Sequence, residues 1–222
     1  MVITPGGRSE GGSGPSTSGR RPRILLASRS PRRRQLLREH GFEFDLASAS
    51  VDDSHLRPGQ SDARAWVMSL AFLKASAAVG DERAAEGGVV ILGADTVCAV
   101  GGRIIGQPRD EAHARDMINT LSDGEHQVLT GVALICPGTL RREIYVDESL
   151  VRVGVISDEQ RESYLATGQW KGKAGAYNLS ERMDAGWPLE CVGDPTSVMG
   201  LPMATLEQRV SAFCERGGEA AA

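Results

Sequence analysis

Ile24-Leu25-Leu26-Ala27-Ser28-Arg29-Ser30-Pro31-Arg32-Arg33-Arg34-Gln35-Leu36-Leu37 reads as a buried strand, a tight hydroxyl-bearing loop and a helix that opens on cationic side chains. The apolar run Ile24, Leu25, Leu26 suits a strand covered on both faces. Ser30 is a good N-cap, and Pro31 suits the first helical position, where its missing N–H costs nothing. Gly41 closes the helix after His40. A helix N-terminus carries unpaired N–H groups and partial positive charge, so arginines in its first turn oppose the dipole unless an anion joins them. Junctions of this kind are common phosphate sites. A run such as Arg32, Arg33, Arg34 is also the ordinary mark of a solvated basic face.

Outward from that stretch, elements alternate. Phe42, Phe44 and Leu46 alternate with Glu43 and Asp45, a period-two strand. A loop from Ala47 to Gln60 carries Asp52, Asp53 and His55. Ser61 caps a helix reaching about Val79, with Trp66, Leu70, Leu73 and Ala77 as its apolar stripe. Lys74 stands at the margin of that stripe, where a lysine commonly lies along the core edge with its head in water. Val89 to Leu92 is a second apolar strand, ending in Gly93-Ala94-Asp95-Thr96. Val97 to Val100 and Arg103 to Ile105 flank a Gly101-Gly102 hairpin turn. An aspartate such as Asp95 between apolar strands is costly to bury unless paired, hydrogen-bonded or metal-bound. Its plainer role is to fix a turn.

Asp110 caps a helix from Glu111 to Leu121 that Gly124 ends. Gln127 to Cys136 and Arg142 to Val155 form a long hairpin around Pro137-Gly138. Ser157-x-x-Gln160 is a capping box opening a helix that Gly168 stops. Gln169 to Trp187 is polar and Gly-rich, with strand character near Ala176 to Leu179. Leu201-Pro202 opens the last helix, whose apolar positions include Leu206, Val210 and Phe213. The expected fold class is α/β: a mixed sheet with flanking helices and long hairpins, without repeats.

With 41% hydrophobic and 24% charged residues, the 222-residue chain is ordinary for a globular domain. A net charge of −4 argues against a nucleic-acid partner. No apolar stretch approaches the ~20 residues of a membrane span, and no signal-peptide core is seen. Cys98, Cys136, Cys191 and Cys214 lack C-x-x-C spacing and read as reduced thiols of a cytoplasmic protein. Neither they nor His40, His55, His113 and His126 have zinc-ligand spacing. Residues 1–20 hold almost no large apolar side chains and are expected to be a disordered tail. Residues 21–217 are expected to form a single domain, with 218–222 a short tail.

Leu26-Ala27-Ser28-x-Ser30-Pro31-Arg32-Arg33-x-x-Leu36-Leu37 resembles the opening signature of the Maf family of nucleoside triphosphate pyrophosphatases. Further matches follow in order: Leu70-Ala71-x-x-Lys74-Ala75, Gly93 to Val97, Gly172 to Tyr177, and Val198 to Pro202. One such motif is weak; five in order across residues 22–215 are specific. The resemblance implies an inosine-triphosphatase-like, two-lobed architecture around a cleft, and homodimers as a frequent assembly. It implies hydrolysis of a nucleoside triphosphate to the monophosphate and pyrophosphate, with a divalent cation, Mg2+ or Mn2+, as cofactor.

That chemistry needs cations on the phosphates, a metal to hold them and a base for water. Arg32, Arg33 and Lys74 can bind phosphate oxygens, and Ser28 and Ser30 can donate hydroxyls. By resemblance, Asp95 is the catalytic acidic residue, as general base or metal ligand, and Asp53 is the second carboxylate near the metal. Oxygen ligands of this kind suit hard divalent cations.

Three positions depart from the family pattern. Gln107 stands where lysine is common; it can hydrogen-bond but carries no charge, and losing a charge-assisted contact is worth ~1–3 kcal/mol. Lys173 or Arg109 could supply the missing charge. Ser180 stands where glutamine follows the tyrosine motif, and Asp53 replaces a longer glutamate. Substrate binding is nonetheless expected at Gln107 and Ser180. Arg33 fits the subgroup acting on dTTP and UTP better than that acting on methylated GTP, and modified nucleotides are also candidates. The competing readings are a catalytically weakened nucleotide-binding regulator of cell division and a nucleic-acid-binding module built on Arg32, Arg33 and Arg34.

Overall fold

The computed structural model describes residues 22–218 except Ser50, Ser54 and Leu140, so the tail expected over residues 1–20 lies outside the described residues. In chain order the elements are β1 (Arg23–Leu26), α1 (Pro31–Glu39), β2 (Phe44–Leu46), α2 (Ala63–Ala77), β3 (Val89–Val100), β4 (Arg103–Ile105) and α3 (Glu111–Leu121). There follow β5 (Gly124–Ile135), β6 (Arg142–Val153), α4 (Asp158–Ala166), α5 (Leu179–Asp184), β7 (Leu189–Val192), α6 (Pro195–Val198) and α7 (Met203–Gly218). The seven strands form one mixed sheet in the order β2-β1-β3-β5-β6-β7, with β4 folded back on β3. β1 is parallel to both neighbours, and the remaining pairs are antiparallel.

The chain steps from β1 to β2 and then crosses back past β1 to β3. The crossover to β2 carries α1, whose Leu36 and Leu37 pack with Leu206 and Val210 of α7 on one face. The crossover to β3 carries α2, whose Ala71 and Ala75 pack against Leu25 and Ile91 on the other. In open α/β sheets such a switch point leaves a crevice beyond the carboxyl end of the strand. Here β3 outruns β1: residues 89–92 pair with β1 and 98–100 with β4, while 93–97 are left to β5 in the ladder.

The long strands also divide the core into two lobes. On one face Leu92, Ala94, Val132 and Leu134 join the α1–α7 cluster. Further along that face, Cys98 and Val128 join a second cluster with α3, α4, Trp170 and Trp187. Between the two stretches sit Thr96 and Thr130, paired in register with hydroxyls 2.9 Å apart.

The opposite face carries α2 at very short range. A Cβ on Gly93 would lie 2.3 Å from the Ala71 carbonyl oxygen, and one on Gly131 would lie 2.4 Å from that of Val67. The helix therefore rests backbone-on-backbone against β3 and β5. This contact corrects part of the apolar stripe expected for α2: Leu70 is buried as expected, but Ala77 is exposed. The face in contact is Val67, Ala71, Ala75, all fully buried, whereas Leu73 is 40% exposed. Small side chains win here because the missing side chains of Gly93 and Gly131 let α2 approach so closely that large ones would not fit between.

Other differences are local. Asp62, not Ser61, caps α2, accepting from the Ala65 N–H at 2.8 Å. Asp95 lies within β3 rather than at its end. Asp123, at φ 55°, makes the left-handed turn after α3, and Gly124 already belongs to β5. The strand character expected near Ala176 to Leu179 is instead a 3-10 turn (Ala174–Ala176) followed by α5. The Ser30 cap, the Pro31 start and the Ser157–Gln160 capping box are present.

Candidate active site

A cleft of about 660 Å³ opens where β3 loses its neighbour, between α1 and the segment around residues 171–179. Six cationic side chains line it, Arg29, Arg32, Arg33, Lys74, Lys171 and Lys173, against the carboxylates of Asp53 and Asp95. A chain that is acidic overall thus concentrates positive charge in its cleft. Such a cleft attracts and holds polyanions.

At its centre Lys74 Nζ lies 2.6 Å from Asp95 Oδ1 and 2.7 Å from Asp53 Oδ2. The side chains of Lys74 and Asp95 are only 16% and 13% exposed. The close seat of α2 on Gly93 puts Lys74 within reach of β3. Two carboxylates converging on one cation are a suitable donor pair for a hard divalent ion, which commonly takes one or two carboxylates and completes its shell with substrate phosphates and water. Among the described residues no group of three or more His, Cys, Asp or Glu side chains gathers as a metal cage.

Arg33 is buried and fully oriented. Its Nε donates to the Gly200 carbonyl at 2.9 Å, Nη1 to Ser28 Oγ at 3.1 Å, and Nη2 to Thr96 Oγ1 at 3.1 Å. The Thr130 hydroxyl donates to the Ser197 carbonyl at 2.8 Å, so Thr96 donates to Thr130 and accepts from Arg33. Three of the five guanidinium N–H groups are thereby used for position, and two remain for a ligand. Burial lowers the Arg33 pKa, and Asp95 and Asp53 oppose that shift. Gly200, at φ 120°, is adapted to the contact, since a Cβ there would meet Arg33 Nε at 3.2 Å.

At the other wall Arg32 Nη2 lies 2.8 Å from Glu181 Oε1, and Glu181 Oε2 accepts from Lys173 Nζ. Burial raises the Glu181 pKa, but the Lys173 and Arg32 contacts outweigh it and hold the carboxyl below its usual range. The inner wall is uncharged. Burial pushes Cys98 up to about 12 and the Tyr177 phenol well above its usual value, while it drives His126 down to about 4. His126 Nε2 lies 2.8 Å from Tyr177 Oη.

Of the residues nominated from sequence, Ser30, Arg32, Arg33, Asp53, Lys74, Asp95 and Gln107 line the cleft together. Ser28 does not; it sits behind Arg33 and accepts from it. Ser180 is exposed outside the cleft lining, its hydroxyl donating to Asn178 Oδ1 at 2.9 Å. Lys173 lines the cleft and Arg109 does not. Thr96, Gly200, Glu181 and His126 were not nominated. Thr96 and Gly200 lie inside quoted motifs without an assigned role, whereas Glu181 and His126 carry no local sequence signal.

A two-lobed α/β fold with a cationic cleft, paired carboxylates and a buried arginine defines a polyanion-binding site suited to phosphate chemistry. Comparison with known proteins places it more closely: residues 23–213 match the family described as Maf-like protein, and the chain belongs to that family. A dTTP/UTP pyrophosphatase of Symbiobacterium thermophilum is 36% identical over 190 residues, covering 86% of this chain and 93% of the relative. One of Halalkalibacterium halodurans is 38% identical over 181 residues, covering 82% and 90%. One of Hahella chejuensis is 40% identical over 184 residues, covering 82% and 88%. No helix among the described residues is long and apolar enough to cross a membrane.

Proposed function

We propose that the protein hydrolyses nucleoside triphosphates between the α- and β-phosphates, releasing the monophosphate and pyrophosphate, with dTTP and UTP as its substrates. The observation that carries this reading is the convergence of Asp53, Lys74 and Asp95 in a cleft walled by Arg32, Arg33 and Lys173. The substrate class follows from the names of the relatives.

In this reading Arg33 meets the phosphate chain with its two remaining N–H donors, already oriented and needing little reorganisation. Preorganised donors of this kind are among the strongest contributors to catalysis. Asp95 accepts the proton of the attacking water as the new P–O bond forms and the bridging P–O bond breaks. The arginines and lysines neutralise the departing pyrophosphate. Lys74 holds both carboxylates in place and turns a donor to the phosphates as they enter. Asp53 and Asp95 would hold the divalent cation, Mg2+ or Mn2+, which when bound supplies Lewis acidity and charge neutralisation to the phosphates. The free thiols, Cys98 among them, accord with a cytoplasmic enzyme of the nucleotide pool.

The test is pyrophosphate release from a panel of canonical and modified nucleoside triphosphates with Mg2+ or Mn2+, using wild type and D95N. Cation-dependent release, fastest on dTTP and UTP and absent in D95N, supports the reading. Nucleotide binding without release from any of them overturns it and favours a regulatory binder.

A further inference from the structure

We propose that Glu181 is a positioning residue that joins Arg32 and Lys173 into one polyphosphate-binding arm, with Lys173 supplying the cation on the wall where Gln107 has none. The inference rests on the reading of the cleft as a phosphate site and adds to it Glu181, which that reading does not use.

Three observations carry it. First, Glu181 spends one carboxylate oxygen on each partner, bridging α1 to the segment before α5. It does so from outside the cleft lining, whereas both cations belong to that lining. Among the described residues Arg32 gives one of its five donors to Glu181 and Lys173 one of its three, so donors remain for a ligand on the cleft side. A carboxylate placed this way aims the cations without occupying the space a phosphate needs.

Second, the bridge is built on fixed backbone. Asn178 caps α5 and accepts from the Glu181 N–H at 3.1 Å. Ala176, buried, adopts φ 63°, a left-handed conformation uncommon outside glycine. It is held by a 3.0 Å bond from the Tyr164 hydroxyl to its carbonyl and a 3.0 Å bond from its own N–H to the Lys173 carbonyl. Strained backbone persists where surrounding contacts over-determine it, and such places cluster at ligand sites.

Third, the Gly175 N–H donates to the Gly106 carbonyl at 3.1 Å, tying the Lys173 segment to the chain next to Gln107. Both Lys173 and Gln107 line the cleft. The charge that position 107 cannot provide is thus available from an adjoining segment.

The experiment is calorimetric binding of inorganic tripolyphosphate with Mg2+ to the full chain, alongside steady-state kinetics on UTP, for wild type, E181Q, E181D and K173M. E181Q is expected to weaken tripolyphosphate binding about tenfold and to raise KM comparably, with E181D recovering part of the loss. K173M is expected to weaken binding as much, and K173M/E181Q by less than the product of the two. R109M, outside the cleft, is expected to match wild type. Tighter binding by E181Q overturns the proposal, because Glu181 would then be a competing anion. Unchanged binding in K173M, or no binding by wild type, overturns it equally. Should E181Q fail to fold, E181D and K173M still decide. Because tripolyphosphate binding needs no turnover, the arm can stand when UTP is not hydrolysed, and can fail when it is.

Discussion

Lys74 Nζ lies 2.6 Å from Asp95 Oδ1 and 2.7 Å from Asp53 Oδ2, one ammonium joining carboxylates from β3 and from the loop before α2. Removing the cation leaves two carboxylates facing one another in a partly buried site with no counter-charge between them. K74M is therefore expected to lose about 10²–10³ in turnover, the usual cost of removing one electrostatic donor at a reacting centre. Pyrophosphate release at saturating UTP measures it.

The same contact depends on the glycines beneath α2. A methyl on Gly131 would sit 2.4 Å from the Val67 carbonyl oxygen, so G131A must lift the helix off the sheet. Overpacking of this kind costs typically about 1–3 kcal/mol. It should also carry Lys74 away from Asp95, so that activity falls along with the urea midpoint. G87A, with open space around its Cβ, should change stability by no more than about 0.5 kcal/mol.

Arg33 should not be replaceable by lysine. R33K keeps the charge but cannot reach the Gly200 carbonyl, Ser28 and Thr96 together. Leaving buried partners unpaired costs about 1–3 kcal/mol each. The expected result is loss of kcat/KM by at least ~10-fold with little change in the metal requirement. T130V, which takes the acceptor from Thr96, should show a smaller loss of the same kind.

His126 gives the fold an acid-side weakness. Burial holds its folded pKa near 4, below the ordinary value of 6.5. Between those values the unfolded chain binds a proton that the native chain refuses, so stability falls as pH drops from about 6.5 to about 4. The full effect, reached below pH 4, is of order 3 kcal/mol. Urea unfolding between pH 7 and 4 reads the slope, and H126Q should lack this component.

What could be read from sequence was what is local. The strand, cap and helix start of residues 24–37 depend on neighbours in the chain, and they are found as expected. The α2 stripe was right at Leu70 and misplaced at Leu73 and Ala77, because the face in contact is set by Gly93 and Gly131 on strands far away in sequence. Asp53, Lys74 and Asp95 could be nominated only through the family resemblance, since nothing in their spacing foretells their meeting. Glu181 was invisible for the same reason: it bridges two cations of the cleft wall from outside the lining, and no pattern around it signals that.

Cleavage at the α–β bridge can be followed on UTP with Mg2+ by phosphorus NMR, wild type beside D95N. Wild type is expected to yield UMP and pyrophosphate in equal amounts, and D95N neither. Appearance of UDP and orthophosphate, or undiminished turnover by D95N, would contradict this.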